Sequence, residues 1–240
     1  MDEATIQHLN AINRAFYETT ASEFDATRGQ SWPGWNPILP HLSVATPLTV
    51  LDVGCGNGRF GLFLREHLTG PIAYTGLDSN QTLLDAARKA LDPQSDMTPS
   101  LLSFDLLTNP LPQTLYNVVV LFGVLHHVPG WSTRERLMRD LAACVAPGGY
   151  LALAAWCFFE YPRFRERIVP WPDDIVVEGH DYLLDWRRGE RAYRYCHYVD
   201  EAEHTALVRA TGLTEVITYR DDGFTGDVNR YTLLKNDKDN

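Results

Sequence analysis

The sequence predicts an α/β protein: a doubly wound, mostly parallel sheet of seven strands that ends in an antiparallel C-terminal strand. Three observations predict it. From residue 48 to residue 155, short apolar runs alternate with amphipathic helical stretches, the pattern of a parallel sheet covered on both faces. The first of these runs ends in a glycine-rich turn, Gly54–Cys55–Gly56–Asn57–Gly58. The last two runs, Val216–Tyr219 and Arg230–Leu234, are joined by the polar turn Asp221–Asp222–Gly223 with no helix between them. Parallel neighbours need a long crossover, so two strands joined this tightly run against each other.

The elements follow in order. Glu3–Glu18 carries Ile6, Leu9, Ile12 and Phe16 at helical spacing. Leu48–Val53 is the first strand, and Arg59–Leu68 a helix stopped by Gly70–Pro71. Ile72–Leu77 is the second strand, Gln81–Leu91 the next helix and Ser100–Phe104 the third strand. Asn117–Phe122 is the fourth, with the branched run Val118, Val119 and Val120. Trp131–Val145 is a helix ending at Ala146–Pro147–Gly148–Gly149, and Tyr150–Ala155 is the fifth strand. From Trp156 to Val199 the pattern changes to an aromatic, arginine-rich stretch with Pro162, Pro170 and Pro172. It reads as an insertion over the sheet edge. Asp200–Thr211 is the last helix. The expected organisation is one domain over 1–240, with a helical cap at 1–47 and a lid-like insertion at 156–199.

Composition narrows the function. The 240 residues are 45% hydrophobic and 22% charged, as in an ordinary globular domain. No run approaches the roughly 20 apolar residues of a membrane-spanning helix, and Met1–Thr5 does not resemble a signal or transit peptide. A cytoplasmic protein without membrane partners is expected. Cys55, Cys144, Cys157 and Cys196 are scattered, with no C-x-x-C pair and no zinc-finger spacing, so free thiols and no metal are expected. The net charge of -10 repels free nucleic acid, and an RNA acceptor requires a local basic patch or a basic partner.

The chemistry begins at Leu51–Asp52–Val53–Gly54–Cys55–Gly56–Asn57–Gly58. Glycines let the chain turn sharply and let a ligand lie against the backbone. Gly56, Gly58 and Gly61 also fit the dinucleotide spacing G-x-G-x-x-G, although a bare tight turn explains that match as well. Asp78 closes the second strand, where a carboxylate can accept both ribose hydroxyls of an adenosine; a cap for the helix from Gln81 is the other reading. Asp105 follows the third strand and can accept from an adenine amine, or serve only its own turn.

Together these signals resemble class I S-adenosylmethionine-dependent methyltransferases, which have a Rossmann-like fold. The resemblance covers Leu48–Ala155 and takes in Phe122–Gly123–Val124–Leu125–His126–His127 and Ala146–Pro147–Gly148–Gly149. It implies S-adenosyl-L-methionine as cofactor, with Asp52, Gly54, Cys55, Gly56, Asp78, Ser79, Asp105, Leu106 and Phe122 as its binding residues. No second nucleotide-binding half is present, which sets the dinucleotide dehydrogenases aside.

The flanks resemble the tRNA methyltransferases that esterify carboxymethylated wobble uridine. The similar segments are Phe16–Tyr17–Glu18 and Ala21–Trp32 with Phe24, Arg28, Trp32 and Pro33; His126–His127 with Ser132–Arg136; Trp156; Asp181–Trp186; and Arg194–Tyr198. The resemblance implies a carboxylate acceptor in tRNA and, from the family's eukaryotic members, a small zinc-binding activator subunit. A small-molecule O-, N- or C-methyltransferase is the alternative. Against tRNA, residues 160–194 hold seven arginines and eight carboxylates, not a basic patch by count, and the insertion is short. Arg28 and Arg194 are candidates for holding the acceptor carboxylate through an arginine fork. His126 and His127 either supply a base, which a phenol or amine acceptor needs, or shape the pocket. Tyr17, Trp32, Trp156 and Tyr195 either wall a flat acceptor or pack the lid.

Overall fold

Branched and aliphatic side chains at alternating positions build the sheet, and they are buried on both of its faces. Val50, Val118, Val120, Ala152 and Ala154 pack to one side with Phe60, Phe63 and Leu84. Leu51, Val53, Val119, Leu121, Leu151 and Leu153 pack to the other with Leu137, Leu141 and Val208. Consecutive strand residues point to opposite faces, so a strand covered twice reads as an unbroken apolar run.

The computed structural model describes residues 1–26, 30–42, 46–91, 97–172, 175–187 and 190–238, and only the backbone of residues 22 and 24–26. Its elements are α1 (Glu3–Ala26), β1 (Leu48–Val53), α2 (Arg59–His67), β2 (Ile72–Asp78), α3 (Gln81–Ala90), β3 (Met97–Ser103), β4 (Tyr116–Phe122), α4 (Trp131–Ala143) and β5 (Val145–Trp156). Then come α5 (Pro162–Arg165), β6 (Ile168–Val169), β7 (Asp181–Trp186), β8 (Ala192–His197), α6 (Glu201–Thr211), β9 (Thr214–Asp221) and β10 (Asn229–Lys235). The seven-stranded sheet has the order β3-β2-β1-β4-β5-β10-β9. β1 is parallel to β2 and β4, whereas β10 is antiparallel to both its neighbours, β5 and β9. The α/β class and the antiparallel C-terminal strand are as the sequence predicts. Among the described residues, no helix is long and apolar enough to cross a membrane.

β3 starts earlier than expected, at Met97, and β9 is longer, spanning Thr214–Asp221; three further elements also differ. α1 runs past Glu18 to Ala26, because the hydroxyls of Thr19 and Thr20 donate back to the carbonyls of Ala15 and Phe16 at 2.9 and 2.8 Å and so settle their polar groups inside the helix. β5 starts at Val145 and takes in the Ala146–Pro147–Gly148–Gly149 turn; its carbonyl at Val145 accepts from Asn236 at 2.8 Å. The segment from Trp156 is not simply irregular: β6, β7 and β8 form a second, antiparallel sheet.

That small sheet is locked to α4 and α6 by buried charge. Arg134 of α4, its side chain 1% exposed, reaches Glu203 of α6 at 2.6 Å and Glu178 at 3.1 Å. His197 of β8 bridges Asp181 of β7 and Glu203, each at 2.7 Å, and the Tyr195 hydroxyl also donates to Asp181 at 2.7 Å. Removing one member of a buried ionic network strands the others. Arg134→Ala is therefore expected to cost about 3–5 kcal/mol, read as a lower urea midpoint at unchanged m. His197 adds a pH dependence. Burial pulls its pKa down, but the hydrogen bonds to Asp181 and Glu203 outweigh that and the net shift is upward. Its stabilisation is complete below its ordinary pKa of about 6.5 and fades as pH rises through the higher folded value. The stability gap between wild type and His197→Gln should narrow over that rise.

Candidate functional site

The C-terminal ends of the parallel strands open into a cavity of about 590 Å³. In an open α/β sheet this edge is where ligands bind. α1 contributes Asn10, Asn13, Arg14 and Tyr17 to its wall, and the insertion contributes Trp156, Arg163, Phe164, Arg167, Trp186 and Arg194.

The turn after β1 forms the floor. Gly54 and Gly56 hold φ values of 79° and 54°, the left-handed region that glycine enters without strain. A Cβ at Gly54 would lie 2.2 Å from Val124 Cγ2, whereas one at Gly56 would meet nothing within 4 Å and would project into the cavity. Asp78 stands over this turn. Its Oδ2 accepts the Gly56 N–H at 2.9 Å and its Oδ1 the Asn80 N–H at 2.8 Å. Burial raises its pKa, and those backbone hydrogen bonds oppose the rise. The cap of α3 is Asn80, whose side chain accepts from Leu83 N–H at 3.0 Å. The capping reading of Asp78 therefore gives way, and its carboxylate faces the cavity.

Cys55, Ser79, Asp105, Leu106 and Phe122 line the same space. Asp52 does not: it is 3% exposed, accepts from the Tyr74 hydroxyl at 2.5 Å and lies beneath the turn. Burial pushes its pKa to about 7, against the pull of the Tyr74 hydrogen bond. The expectation of direct contact is corrected here, because the Tyr74 ring holds this carboxylate inside the sheet. Asp105 serves its own turn through Leu107 N–H at 2.9 Å. It also accepts from Asn10 of α1 at 3.0 Å and pairs with Arg14 at 3.5 Å.

The cavity residues fit the expected cofactor. The space above Gly56 admits a ligand against the backbone, and half-buried Asp78 offers a carboxylate at the end of β2 for vicinal hydroxyls.

The other wall holds the acceptor candidates. The His126 and His127 rings meet at a tilt of 49° with centroids 4.1 Å apart, and His126 meets Trp156 edge-on at 5.3 Å. His127 Nδ1 lies 3.0 Å from the Tyr195 carbonyl and Nε2 lies 2.9 Å from the Tyr17 hydroxyl. A carbonyl only accepts, so in the neutral ring Nδ1 carries the proton and Nε2 accepts from Tyr17. Cys196 lies beside the pair, the three ligand atoms within 4.8 Å of one another. Burial lifts its thiol to about 11, so it stays a neutral packing group at physiological pH. The Arg194 guanidinium lies 4.6 Å over the Trp156 ring and 5.3 Å over Phe16. It has no carboxylate within ion-pair distance among the described residues. Tyr17, Trp32 and Trp156 line the cavity. Tyr195 does not, because its ring is fully buried with the hydroxyl on Asp181. Arg28 lies outside the described residues.

The charges of the insertion are sorted by position. Glu160 pairs with Arg220, Glu178 with Arg134, Asp181 with His197 and Asp185 with Arg187. Four carboxylates are thus spent away from the cavity, while Arg163, Arg167 and Arg194 line it. Arg163 and Arg167 carried no motif. Asn10, Asn13, Arg14 and Tyr17 did leave a signal: a polar stripe at i, i+3, i+4 and i+7 on an otherwise apolar helix face.

Comparisons with known proteins agree with this architecture. Residues 38–218 match a family model described as a methyltransferase domain. A protein of Encephalitozoon cuniculi named as a methyltransferase is 28% identical over 209 residues, covering 87% of this chain and 85% of its own. A tRNA (carboxymethyluridine(34)-5-O)-methyltransferase of Arabidopsis thaliana is 26% identical over 140 residues. That match covers 58% of this chain and only 31% of the relative's length. The N-methyltransferase NodS of Bradyrhizobium japonicum, solved with S-adenosyl-L-homocysteine, superposes with a TM-score of 0.61 at 17% identity over 98% of this chain and 99% of its own. A chain from the complex of the Haloferax volcanii Trm112 methyltransferase activator with a methyltransferase gives a TM-score of 0.66 at 14% identity, over 95% of this chain and 98% of that one.

Proposed function

The chain belongs to the methyltransferase-domain family, uses S-adenosylmethionine, and we propose that its acceptor is a carboxylate, that of a carboxymethylated wobble uridine in tRNA. The observation that carries the proposal is Arg194, a guanidinium set between Trp156 and Phe16 at the cavity wall with no acid against it among the described residues. A bidentate carboxylate is the natural occupant of such a fork. The Arabidopsis relative's name supports the same acceptor.

S-Adenosylmethionine supplies an electrophilic methyl group on a sulfonium. In this reading Gly54, Cys55 and Gly56 let it lie against the backbone, Asp78 accepts its ribose hydroxyls with Ser79 alongside, and Asp105 with Leu106 borders its adenine. Phe122 closes the space between the two halves of the site, and Asp52 supports the turn from below. Asn10 and Arg14 already contact Asp105, so α1 closes over the adenine end. Arg194 aligns the acceptor, with Arg28 as a second candidate, and Trp156 flanks it. Bound there, the cofactor would supply its methyl group to a carboxylate oxygen, with adenosylhomocysteine as the leaving thioether and no proton to be moved.

No base is required, since carboxyl pKa values near 4 leave the acceptor ionised. His127, tied to Tyr17 and Tyr195, then positions α1 against β8 rather than taking a proton. Activity is expected to stay flat from about pH 6 to 8. His126→Gln with His127→Gln should change rates modestly and leave that profile flat. A steep acid limb that vanishes with the histidines would instead favour a small-molecule phenol or amine acceptor, the reading that the lid-like insertion and the net charge of -10 support. An activator subunit of the kind bound by the Haloferax neighbour, and a cytoplasmic site of action, complete the proposal.

A further inference from the structure

We propose that Phe224 and Arg163 form a stacking rim at the cavity mouth for the unpaired nucleotides next to the acceptor base, that is, for single-stranded RNA. The inference rests on the RNA reading above and extends it to a surface outside the methyl-transfer site.

Phe224 lies in the turn between β9 and β10 and is 98% exposed. A single exposed apolar side chain is ordinary, but this one is presented by a pinned backbone. Asp222, at φ 70°, accepts from the Gly34 N–H at 3.0 Å, from Asn229 Nδ2 at 2.8 Å and from the Tyr231 hydroxyl at 2.5 Å. Asp222 and Gly223 both line the cavity, so the ring stands at its edge. Opposite it, the Arg163 guanidinium lies 4.6 Å over Phe164, 5.7 Å over Tyr161 and 6.0 Å from the Phe224 ring centroid. Arg163 lines the cavity as well. Of the nearby acids, Glu160 pairs with Arg220 at 2.8 Å, while Asp227 accepts from the hydroxyls of Tyr161 and Thr225 and keeps a charge that Arg163 faces. On a chain of net charge -10, Arg163 is a cation set among aromatic rings at the mouth.

The chemistry selects the partner. A base that enters the cavity must leave its stack, and its two neighbours lose a stacking face. A phenyl ring and a guanidinium at the mouth replace that face for any base, and the guanidinium also reaches a phosphate. A lone metabolite has nothing to place there.

The test is fluorescence titration of the intact protein with a single-stranded RNA heptamer carrying 2-aminopurine beside its central uridine. Wild type should bind and quench the probe. Phe224→Ala should weaken binding about ten-fold and remove the quench, and Phe224→Trp should restore both. Arg163→Gln should weaken binding and lower the salt slope by about one. Calorimetry with adenosylhomocysteine confirms that each variant is folded. No binding by wild type, or equal quench and affinity in Phe224→Ala, overturns the rim. Phe224-dependent binding without methylation of RNA supports the rim and contradicts the acceptor assigned above.

Discussion

Arg194→Ala is expected to lower kcat by about 100-fold or more, roughly 2.7 kcal/mol, while leaving adenosylhomocysteine affinity nearly unchanged. The guanidinium is held by rings on two elements, Phe16 of α1 and Trp156 at the end of β5, so its direction is fixed before an acceptor arrives. Reaction in a fixed geometry draws on orientation, which is worth up to about 7–11 kcal/mol when reactants are well aligned. Removing the anchor lets the carboxylate swing while the methyl donor stays in place. Arg194→Lys keeps the charge but not the fork, and should recover only part of the rate. Single-turnover kinetics with saturating cofactor measure the chemical step. Wild-type rates in Arg194→Ala would remove the guanidinium from the mechanism.

Asp78→Ala is expected to weaken S-adenosylmethionine and adenosylhomocysteine binding by about 1.5–3 kcal/mol, the worth of hydrogen bonds to a charged group. The same substitution removes the acceptor of the Gly56 N–H, so the turn loosens with it. A pH dependence follows from the carboxylate's environment. Burial raises the Asp78 pKa, and the ionised form is the one that accepts. Affinity should hold above the raised pKa and fall as pH drops through it, at a higher pH than an ordinary aspartate gives. Asp78→Asn should bind weakly at every pH, with that dependence gone. Calorimetry across pH 4 to 8 reads both effects. Unchanged affinity in Asp78→Ala would place the ribose elsewhere.

Much of the sheet was legible because its signals are local. β1 begins at Leu48 and ends at Val53, as the sequence predicts, since an apolar run followed by Gly54 has few alternatives. The sequence places the start of β5 late, at Tyr150, because Pro147 and the two glycines look like a terminator; pairing of Tyr116 with Val145 and the contact from Asn236 carry the strand through them. The small sheet is not legible in the sequence because its two main strands carry Asp181, Asp185 and His197; in the structure Asp181 and His197 are buried in the network with Arg134 and Glu203, and Asp185 pairs with Arg187. At the site, the glycine turn and Asp78 were readable from type and spacing. The inward turn of Tyr195 and the withdrawal of Asp52 were not, since each depends on one long-range hydrogen bond, to Asp181 and from Tyr74.

Methyl transfer from labelled S-adenosylmethionine to unfractionated tRNA and to a metabolite pool, followed by nucleoside mass spectrometry, tests the central claim most directly. The account predicts label in an alkali-labile methyl ester of carboxymethylated uridine, absent with Arg194→Ala. Label confined to the metabolite pool, or held in an alkali-stable methyl group on a base or ribose, would contradict it.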